Sequence, residues 1–212
     1  MGYITPIIML ISAYLVGSIP FGLIVGKFRK IDLREHGSHN IGATNASRTL
    51  GPIFGLLVFL LDLLKGALFV FVTKKLIETN SPLFELKIHP LFYGLAAVLG
   101  HIYPIFLKFK GGKGISTIGG VLLAYNYLFL LVAILFFFIV VLITKYVSLG
   151  STSCVLALFL SYFLFSPNDY YMLVFCIIVS TLAIIKHIPN YKRLINNCEN
   201  KTYLIKRKKS EE

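Results

Sequence analysis

Charged residues are scarce in this sequence. Only 14% of the 212 residues are charged, whereas soluble domains carry about 25%. Hydrophobic residues make up 57%, and the mean hydropathy is +0.80. This composition leaves no room for a separate soluble domain. We therefore expect one membrane-embedded domain over residues 1–212, with a basic cytoplasmic tail from about residue 200.

Acidic residues are the scarcest charged group. There are 9 Asp and Glu against 21 Lys and Arg, which gives a formal net charge of +12. Such an excess suits either a nucleic-acid surface or basic loops that face anionic lipid and the cytoplasm. The long apolar runs favour the second interpretation, so we expect the lipid bilayer as a partner and no nucleic acid.

Cysteines and several catalytic motifs are also missing or few. The three cysteines show no pairing or metal-ligand spacing, which argues against a disulfide framework and predicts no metal. The sequence contains neither a His-Glu-x-x-His zinc motif nor a Gly-x-Ser-x-Gly nucleophile elbow. The His–Asp pair of the common soluble-type glycerolipid acyltransferases is absent as well.

What the sequence does contain is a series of apolar runs long enough to cross a bilayer, which takes about 20 helical residues. The first run carries no charge and lacks a clear signal-peptide cleavage site, so we expect it to be retained as a span. The six runs cover residues 3–25, 52–72, 90–107, 115–143, 147–165 and 170–185.

The fourth run, residues 115–143, fits either one tilted helix or two shorter ones, and Asn126 offers a break near its middle. A split places most lysines and arginines on one side, with Lys74, Lys75 and Lys87 on the other. The positive-inside rule favours the split. The predicted fold is therefore an all-α, polytopic integral membrane helix bundle. It has seven transmembrane elements, including one short half-helix, with the N-terminus outside and the C-terminus cytoplasmic.

Polar residues outside the tail concentrate in three segments on the predicted cytoplasmic side. In the first, residues 37–51, small residues let backbone N–H groups turn toward a ligand, and Ser, Thr and Asn side chains add hydrogen bonds. Arg48 can grip a phosphate with two parallel hydrogen bonds. The alternative is a polar loop that caps the second span, with Asn45 or Ser47 as the N-cap.

The second segment is Lys-Phe-Lys-Gly-Gly-Lys-Gly, residues 108–114, followed by a helical pattern. Bare N–H groups, a lysine and the positive end of a helix dipole together favour an anion site. The spacing differs from that of a nucleotide P-loop. The alternative is a basic turn that merely obeys the topology rule.

The third segment, residues 186–193 with Glu199 beyond it, contains His187, which is either an acid–base group or a passive interfacial anchor. Within the second span, Asp62 and Lys65 lie three residues apart on one helix face, which predicts a structural ion pair. His101, at the end of the third span, is expected to orient the glycine-rich loop.

At these residues the chain resembles a known family. The stretches GSIPFG, GSHNIGATNASRTLG and GHIYPIFLKFKGGKG, followed by His187, Asn190 and Arg193, occur in the order of the bacterial acyl-phosphate-dependent glycerol-3-phosphate acyltransferases. The similarity runs from about Gly17 to Glu199. It implies a seven-helix protein of the bacterial cell (inner) membrane with an active site toward the cytoplasm. It also implies fatty acyl phosphate and glycerol-3-phosphate as substrates, no cofactor, and a functional link to the enzyme that makes acyl phosphate.

The resemblance also implies roles for individual residues. The expected catalytic residues are Ser38, Arg48, His187 and Asn190. The expected substrate-binding residues are Asn40, Thr44, Asn45, Gly111, Gly112, Lys113, Gly114, Thr117 and Ser151, with the glycerol-3-phosphate phosphate on the loop of Lys113. The resemblance implies a structural role for Glu199, and the spacing within the second span implies one for Asp62 and Lys65.

This sequence departs from the family pattern at two positions where glycine is usual. His39 stands at one and Asn197 at the other, just before Glu199. The first departure bears on the conformation of the loop, and the second on the role of Glu199.

Two other functions fit parts of the pattern. A membrane transporter of phosphate esters suits the basic loops, the intramembrane charge pair and the half-helix, although no inverted repeat is visible. A phosphotransferase acting on lipid nucleotides needs clustered aspartates for a metal, and the sequence offers only Asp32, Asp62 and Asp169.

Overall fold

The structure is a computed structural model that describes residues 2–202; residues 1 and 203–212 lie outside it. Within residues 2–202 the chain forms nine α-helices and one short 3-10 helix, and no strand. The α-helices are α1 (Ile4–Gly17), α2 (Phe21–Phe28), α3 (Ala43–Leu50), α4 (Pro52–Glu78), α5 (Pro90–Ile102), α6 (Ile115–Tyr125), α7 (Tyr127–Thr144), α8 (Val147–Phe165) and α9 (Tyr170–Ile195). The 3-10 helix is Ile105–Leu107.

The helices make a multi-pass membrane protein. Five are long and apolar enough to cross a bilayer, and a sixth span results if α1 and α2 are counted together. Large apolar side chains cover their outer surfaces; Phe71, Leu156 and Phe163 are each more than 60% exposed. The all-α membrane fold predicted from the sequence is confirmed.

Several helix limits differ from the predicted spans. The first predicted span is not one straight helix, because α1 and α2 meet at a bend of 42° around Ser18–Pro20. Proline lacks the N–H that a continuous helix needs, which accounts for a break here. The second and last spans extend beyond the apolar runs, to Glu78 and Ile195, because helical hydrogen bonding continues into polar sequence.

The predicted break in the fourth apolar run is confirmed. Asn126 is extended (φ −154°, ψ 105°), and its side chain accepts a hydrogen bond from the N–H of Leu128 at 3.1 Å, which caps α7. Helix α6 therefore has only 11 residues, about 16 Å. It packs against α4 through glycines, since a Cβ at Gly66 would lie 2.1 Å from the carbonyl oxygen of Thr117.

The core and the polar groups occupy different parts of the bundle. Buried apolar side chains from every α-helix from α4 to α9, including Val98, Val121 and Phe175, form the largest core cluster. The loops that precede α3, α6 and α8 and the segment that follows α9 meet at one end of the bundle, which we call the site end. The loops that precede α5, α7 and α9 meet at the opposite end.

Candidate active site

The first polar segment is organised around a buried asparagine. The Asn45 amide donates to the carbonyl oxygens of Leu33, His36 and Asn40 at 2.8–3.1 Å, and its Oδ1 accepts from the N–H of Ser38 at 2.8 Å. Asn45 is 1% exposed. Its hydrogen-bonding groups are thus used to hold the loop, although the residue was expected to bind substrate.

The loop leads into α3, which presents Arg48 to the site end. The Arg48 guanidinium donates to Thr202 Oγ1 at 3.0 Å and to the carbonyl oxygen of Asn200 at 3.3 Å. Thr202 in turn donates its N–H to the carbonyl oxygen of Lys145 at 2.8 Å. Residues 199–202, which we call the strap, therefore lie against Arg48. The basic tail was predicted to begin at about residue 200; these first residues are packed, and the rest of that tail lies outside the described residues.

The glycine-rich loop differs from its predicted geometry. The N–H of Gly111 donates to the carbonyl oxygen of Ile102 at 3.2 Å, and that of Gly112 to the carbonyl oxygen of His101 at 3.1 Å. Neither amide is a bare donor. A Cβ at Gly112 would lie 2.1 Å from His101 Nε2, so the glycine is required for this close packing. What the loop brings to the site is Lys113 and the first turn of α6, whose leading N–H groups have no partner within the helix.

A chain of hydrogen bonds connects Lys113 to the segment after α9. Lys113 Nζ donates to Asn190 Oδ1 at 2.6 Å, Asn190 Nδ2 donates to Glu199 Oε1 at 2.8 Å, and Arg193 Nε donates to Glu199 Oε2 at 2.7 Å. Burial lowers the pKa of Lys113 to about 8, with the nearby Arg48 and Arg193 adding to the effect and Glu199 opposing it. Burial alone would raise the pKa of Glu199, but the hydrogen bonds from Asn190 and Arg193 outweigh it and lower that pKa.

His187 is fixed in one orientation on α9. Its Nδ1 lies 2.7 Å from the carbonyl oxygen of Ala183, and because a carbonyl only accepts, Nδ1 carries the proton. Nε2 of the neutral ring is then free to accept a proton. The side chain is 2% exposed, which does not suit the passive surface anchor that the sequence left open.

The predicted ion pair is present in α4. Lys65 Nζ lies 2.7 Å from Asp62 Oδ1, both side chains are buried, and Lys65 also donates to the carbonyl oxygen of Ile19 at 3.0 Å. His101 Nδ1 approaches Asp62 Oδ1 at 3.5 Å. The pair therefore links α4 to the α1–α2 bend and to His101, which supports the glycine-rich loop.

These groups surround one cavity of about 150 Å³ at the site end. The structure brings most of the sequence-predicted site residues to its wall: Ser38, Asn40, Thr44, Asn45, Arg48, Asp62, Lys113, Gly114, Ser151, His187, Asn190 and Glu199. Four predicted residues do not line it: Gly111, Gly112, Thr117 and Lys65.

Thr117 was predicted to bind substrate, and the structure places it elsewhere. Its side chain is fully buried, and its carbonyl oxygen is the atom that a side chain at Gly66 would strike. It therefore packs α6 against α4. Conversely, sequence reasoning did not select Ser116 and Ser148, which do line the cavity. Both lie in the first turn of a helix beside a predicted basic loop, a position that could have indicated them.

Arg48 and Lys113 place two positive charges at this cavity. Among the described residues, neither Arg48 nor Lys113 forms an ion pair, since Arg48 contacts a carbonyl and a hydroxyl, and Lys113 contacts an amide oxygen. Positive charge is thus available to an anionic ligand. The three aspartates lie apart: Asp32 pairs with Arg34, Asp62 pairs with Lys65, and Asp169 accepts a hydrogen bond from Tyr125. They do not form the cluster that a metal-dependent phosphotransferase needs.

Comparison with known proteins identifies a family. A family model described as glycerol-3-phosphate acyltransferase matches residues 7–197. The chain is 46% identical over 196 residues to a glycerol-3-phosphate acyltransferase of Bacillus subtilis (strain 168), covering 92% of this chain and 96% of the relative. It is 44% identical over 209 residues to glycerol-3-phosphate acyltransferase 2 of Bacillus cereus (strain ZK / E33L), covering 97% and 100%.

A solved structure is similar in fold as well as in sequence. It is the glycerol 3-phosphate form of PlsY (YgiH), an integral membrane glycerol 3-phosphate acyltransferase, with a TM-score of 0.84 and 38% identity. The superposition covers 93% of this chain and 95% of that one. A second crystal structure of PlsY, the lysophosphatidic acid form, matches with a TM-score of 0.81 and 37% identity.

Proposed function

This chain belongs to the glycerol-3-phosphate acyltransferase family, and from that premise we propose the complete reaction of its site. Glycerol-3-phosphate is the acceptor, as the family indicates. The proposed donor is a fatty acyl phosphate, and the proposed products are lysophosphatidic acid and inorganic phosphate. This is the first acylation step of phospholipid synthesis.

The observation that carries the proposal is the pairing of two cavities. The polar cavity holds two cations, Arg48 and Lys113, that pair with no carboxylate in the described part of the chain, which suits two phosphorylated reactants. An apolar cavity of about 380 Å³ adjoins it, and Phe59, Ile115 and Phe137 line both. A donor with a phosphate head and an acyl tail requires such a polar–apolar boundary.

We assign the acceptor phosphate to Lys113 and the first turn of α6. The charge of Lys113 and the helix dipole point to the same anion. Asn190 holds Lys113 by a hydrogen bond and is itself held by Glu199. Gly111 and Gly112 shape the loop without contacting substrate. The donor phosphate is assigned to Arg48 and Ser38, with Asn40, Thr44 and Ser151 on the same cavity wall.

In the proposed reaction the acyl group passes directly to glycerol-3-phosphate, without a covalent bond to the protein. The 1-hydroxyl oxygen of glycerol-3-phosphate attacks the acyl carbonyl carbon, the bond from that carbon to the phosphate oxygen breaks, and phosphate leaves with the electron pair. His187 Nε2 accepts the hydroxyl proton; the Nδ1 hydrogen bond to Ala183 supports this role because it leaves Nε2 without a proton. Orientation and neutralisation of phosphate charge by Arg48 supply the rest of the acceleration.

The proposal also includes the orientation and the cellular location of the protein. Basic residues dominate the site end, so we assign that end to the cytoplasm, the N-terminus to the outside, and the protein to the bacterial cell (inner) membrane. Six spans and α6 make the seven elements, and one domain over residues 1–212 holds the whole site. Acyl phosphate is a reactive anhydride, which favours a functional link to the enzyme that makes it.

The test supplies purified protein with glycerol-3-phosphate and either hexadecanoyl phosphate or hexadecanoyl-CoA. We expect equimolar lysophosphatidic acid and inorganic phosphate from the acyl phosphate alone. Product from the CoA thioester alone would overturn the donor assignment. Turnover with neither donor, beside flux of glycerol-3-phosphate into proteoliposomes, would favour the transporter instead.

A further inference from the structure

The apolar cavity extends from the polar cavity deep into the bundle, away from the site end. Three helices each carry one residue on the polar cavity and another on the deep part of the apolar cavity, seven or eight positions away. The pairs are Ile115 and Leu122 on α6, Ser151 and Leu158 on α8, and His187 and Val179 on α9. At 1.5 Å per residue each pair spans about 10–12 Å along its helix axis.

The three deep residues close this cavity. Leu122, Leu158 and Val179 are each at most 2% exposed and belong to the largest core cluster. We call them the floor. On the side of α7 the wall is thinner, since Ile134 and Phe138 are 40% and 47% exposed on the outer surface of the bundle. A chain that arrives from the bilayer can therefore enter beside α7 and end at the floor.

One wall residue between the entrance and the floor has no side chain. Gly119 lies four residues, or about 6 Å, below Ile115 on α6. A Cβ built there meets only Leu130 Cδ1, at 3.5 Å, which is ordinary van der Waals contact. Its neighbour differs, because a Cβ at Gly120 would lie 1.8 Å from the carbonyl oxygen of Leu63. Helix packing requires Gly120 but does not require Gly119.

We infer that Gly119 is a specificity-determining residue for the length of the donor acyl chain. Any larger side chain there projects into the cavity about halfway to the floor, so the missing side chain keeps the deep half open for the distal carbons. This inference rests on the proposed function, because it takes the occupant to be the acyl tail of the donor whose phosphate lies in the polar cavity.

The experiment measures kcat/KM for butanoyl, octanoyl, dodecanoyl and hexadecanoyl phosphate. Gly119→Val should lower the value for hexadecanoyl phosphate at least tenfold and leave that for butanoyl phosphate within twofold. Gly119→Ala, the smaller change, should give an intermediate shift. An equal loss across the series, or no loss, would overturn the inference.

The control is Leu156→Phe, which adds bulk to α8 on its outer surface, where Leu156 is 66% exposed, beside the wall residues Cys154 and Val155. It should not change the chain-length profile, and a shift equal to that of Gly119→Val would contradict the inference.

A binding measurement separates this inference from the proposed function. Hexadecylphosphonate should raise the Tm of the wild type more than butylphosphonate does, and Gly119→Val should abolish the difference. Wild type that turns over no acyl phosphate but shows this pattern would refute the reaction and retain the chain site. If each phosphonate raises the Tm of Gly119→Val by as much as it raises that of the wild type, the acyl-chain site is refuted and the proposed reaction is not.

Discussion

The two ends of the helix bundle use polar side chains in opposite ways. At the site end, the side-chain hydrogen bonds of Arg48 and Lys113 within residues 2–202 go to neutral oxygens of Thr202, Asn200 and Asn190, and both side chains border an open cavity. A cation that contacts only neutral acceptors keeps most of its attraction for an anion. This end is therefore arranged to bind something that the protein itself does not supply.

At the opposite end, the polar groups are matched to one another. The Tyr125 hydroxyl donates to the Asp169 carboxylate, Lys74 Nζ donates to the carbonyl oxygen of Tyr125 at 3.1 Å, and the His89 ring stacks on Tyr171 at 4.2 Å. Asp169 also accepts from the N–H of Met172 and caps α9. These contacts tie the far end of α6, the helix that carries the glycine-rich loop, to α4 and α9.

The polar groups at the site end thus serve ligand binding, whereas those at the opposite end stabilise the fold. Polar groups that satisfy one another stabilise the bundle, whereas charges that border an open cavity create a site. Substitutions at the site end should thus change catalysis more than stability, and substitutions at the opposite end should do the reverse.

The largest effect is expected for Arg48→Ala. Loss of the guanidinium removes the main positive charge at the proposed donor phosphate, so kcat/KM should fall at least tenfold, or about 1.4 kcal/mol of transition-state stabilisation. Steady-state kinetics with varied acyl phosphate measures it. The matched control is Arg34→Ala, because Arg34 pairs with Asp32 outside the cavity. Near-normal activity of the Arg48 variant would contradict the donor assignment.

Lys113→Ala should raise the KM for glycerol-3-phosphate about tenfold, since it removes the charge assigned to the acceptor phosphate. The pKa of Lys113 adds a sharper test. Because burial lowers it to about 8, the wild-type lysine loses its charge as pH rises through that value. The kcat/KM for glycerol-3-phosphate should then fall above about pH 8 toward the value of Lys113→Ala, by about tenfold in total.

Lys113→Arg should remove this alkaline fall, because arginine stays protonated. A pH profile that is the same in both proteins would show that another group titrates. An unchanged KM in Lys113→Ala would refute the acceptor assignment itself.

Glu199→Gln should move the alkaline limb of the wild-type profile to lower pH. The Glu199 carboxylate opposes the effect of burial on the pKa of Lys113, so without its charge that pKa falls further. We expect about a twofold loss of kcat/KM at pH 8, because a smaller fraction of Lys113 is then charged. Glu78→Gln, at the exposed pair with Lys75, is the control and should leave the profile in place.

Asp169→Ala tests the comparison at the opposite end of the bundle. It removes the acceptor of the Tyr125 hydroxyl and the cap of α9, which should lower stability by about 1–3 kcal/mol. The kcat/KM below the lowered Tm should stay within twofold of wild type. Thermal unfolding in detergent and kinetics at low temperature measure the two quantities. A large catalytic loss without loss of stability would contradict the division between the two ends.

The smallest effects are expected where this chain departs from the family glycines. His39 and Asn197 both have positive φ, 59° and 54°, a region that favours glycine. His39→Gly should raise the free energy of unfolding by at most about 1 kcal/mol and leave kcat unchanged. Asn197→Val should lower it, because a β-branched residue is strained at that φ. A destabilised His39→Gly would show that the ring contributes more than its backbone costs.

Much of the fold was predictable because bilayer physics acts on local sequence. Helix α8 has the limits of its apolar run, and Asn126 ends α6 where the charge pattern required a break. The bend between α1 and α2 was not predicted, because the apolar run is continuous across Ser18–Pro20 and hydropathy carries no information on helix direction.

The candidate site was predictable in its residue types but only partly in their geometry. Arg48, Lys113, His187 and Asn190 do meet at one cavity, because the topology rule places their loops on one side. The backbone amides of Gly111 and Gly112 were expected to face a ligand, and instead they bond to the end of α5. Residue spacing shows where a loop can turn, but not which way its N–H groups point.

By itself, the sequence determined that the chain lies in a membrane, which loops share one side, and which family its motifs belong to. Those properties follow from hydropathy, charge and residue order, which are local or additive along the chain. The tertiary structure alone decided that Arg48 rests on the strap, that Asn190 joins Lys113 to Glu199, and that an apolar cavity opens beside Gly119. These contacts join residues distant in sequence, and only the packing of helices brings them within hydrogen-bond or van der Waals distance.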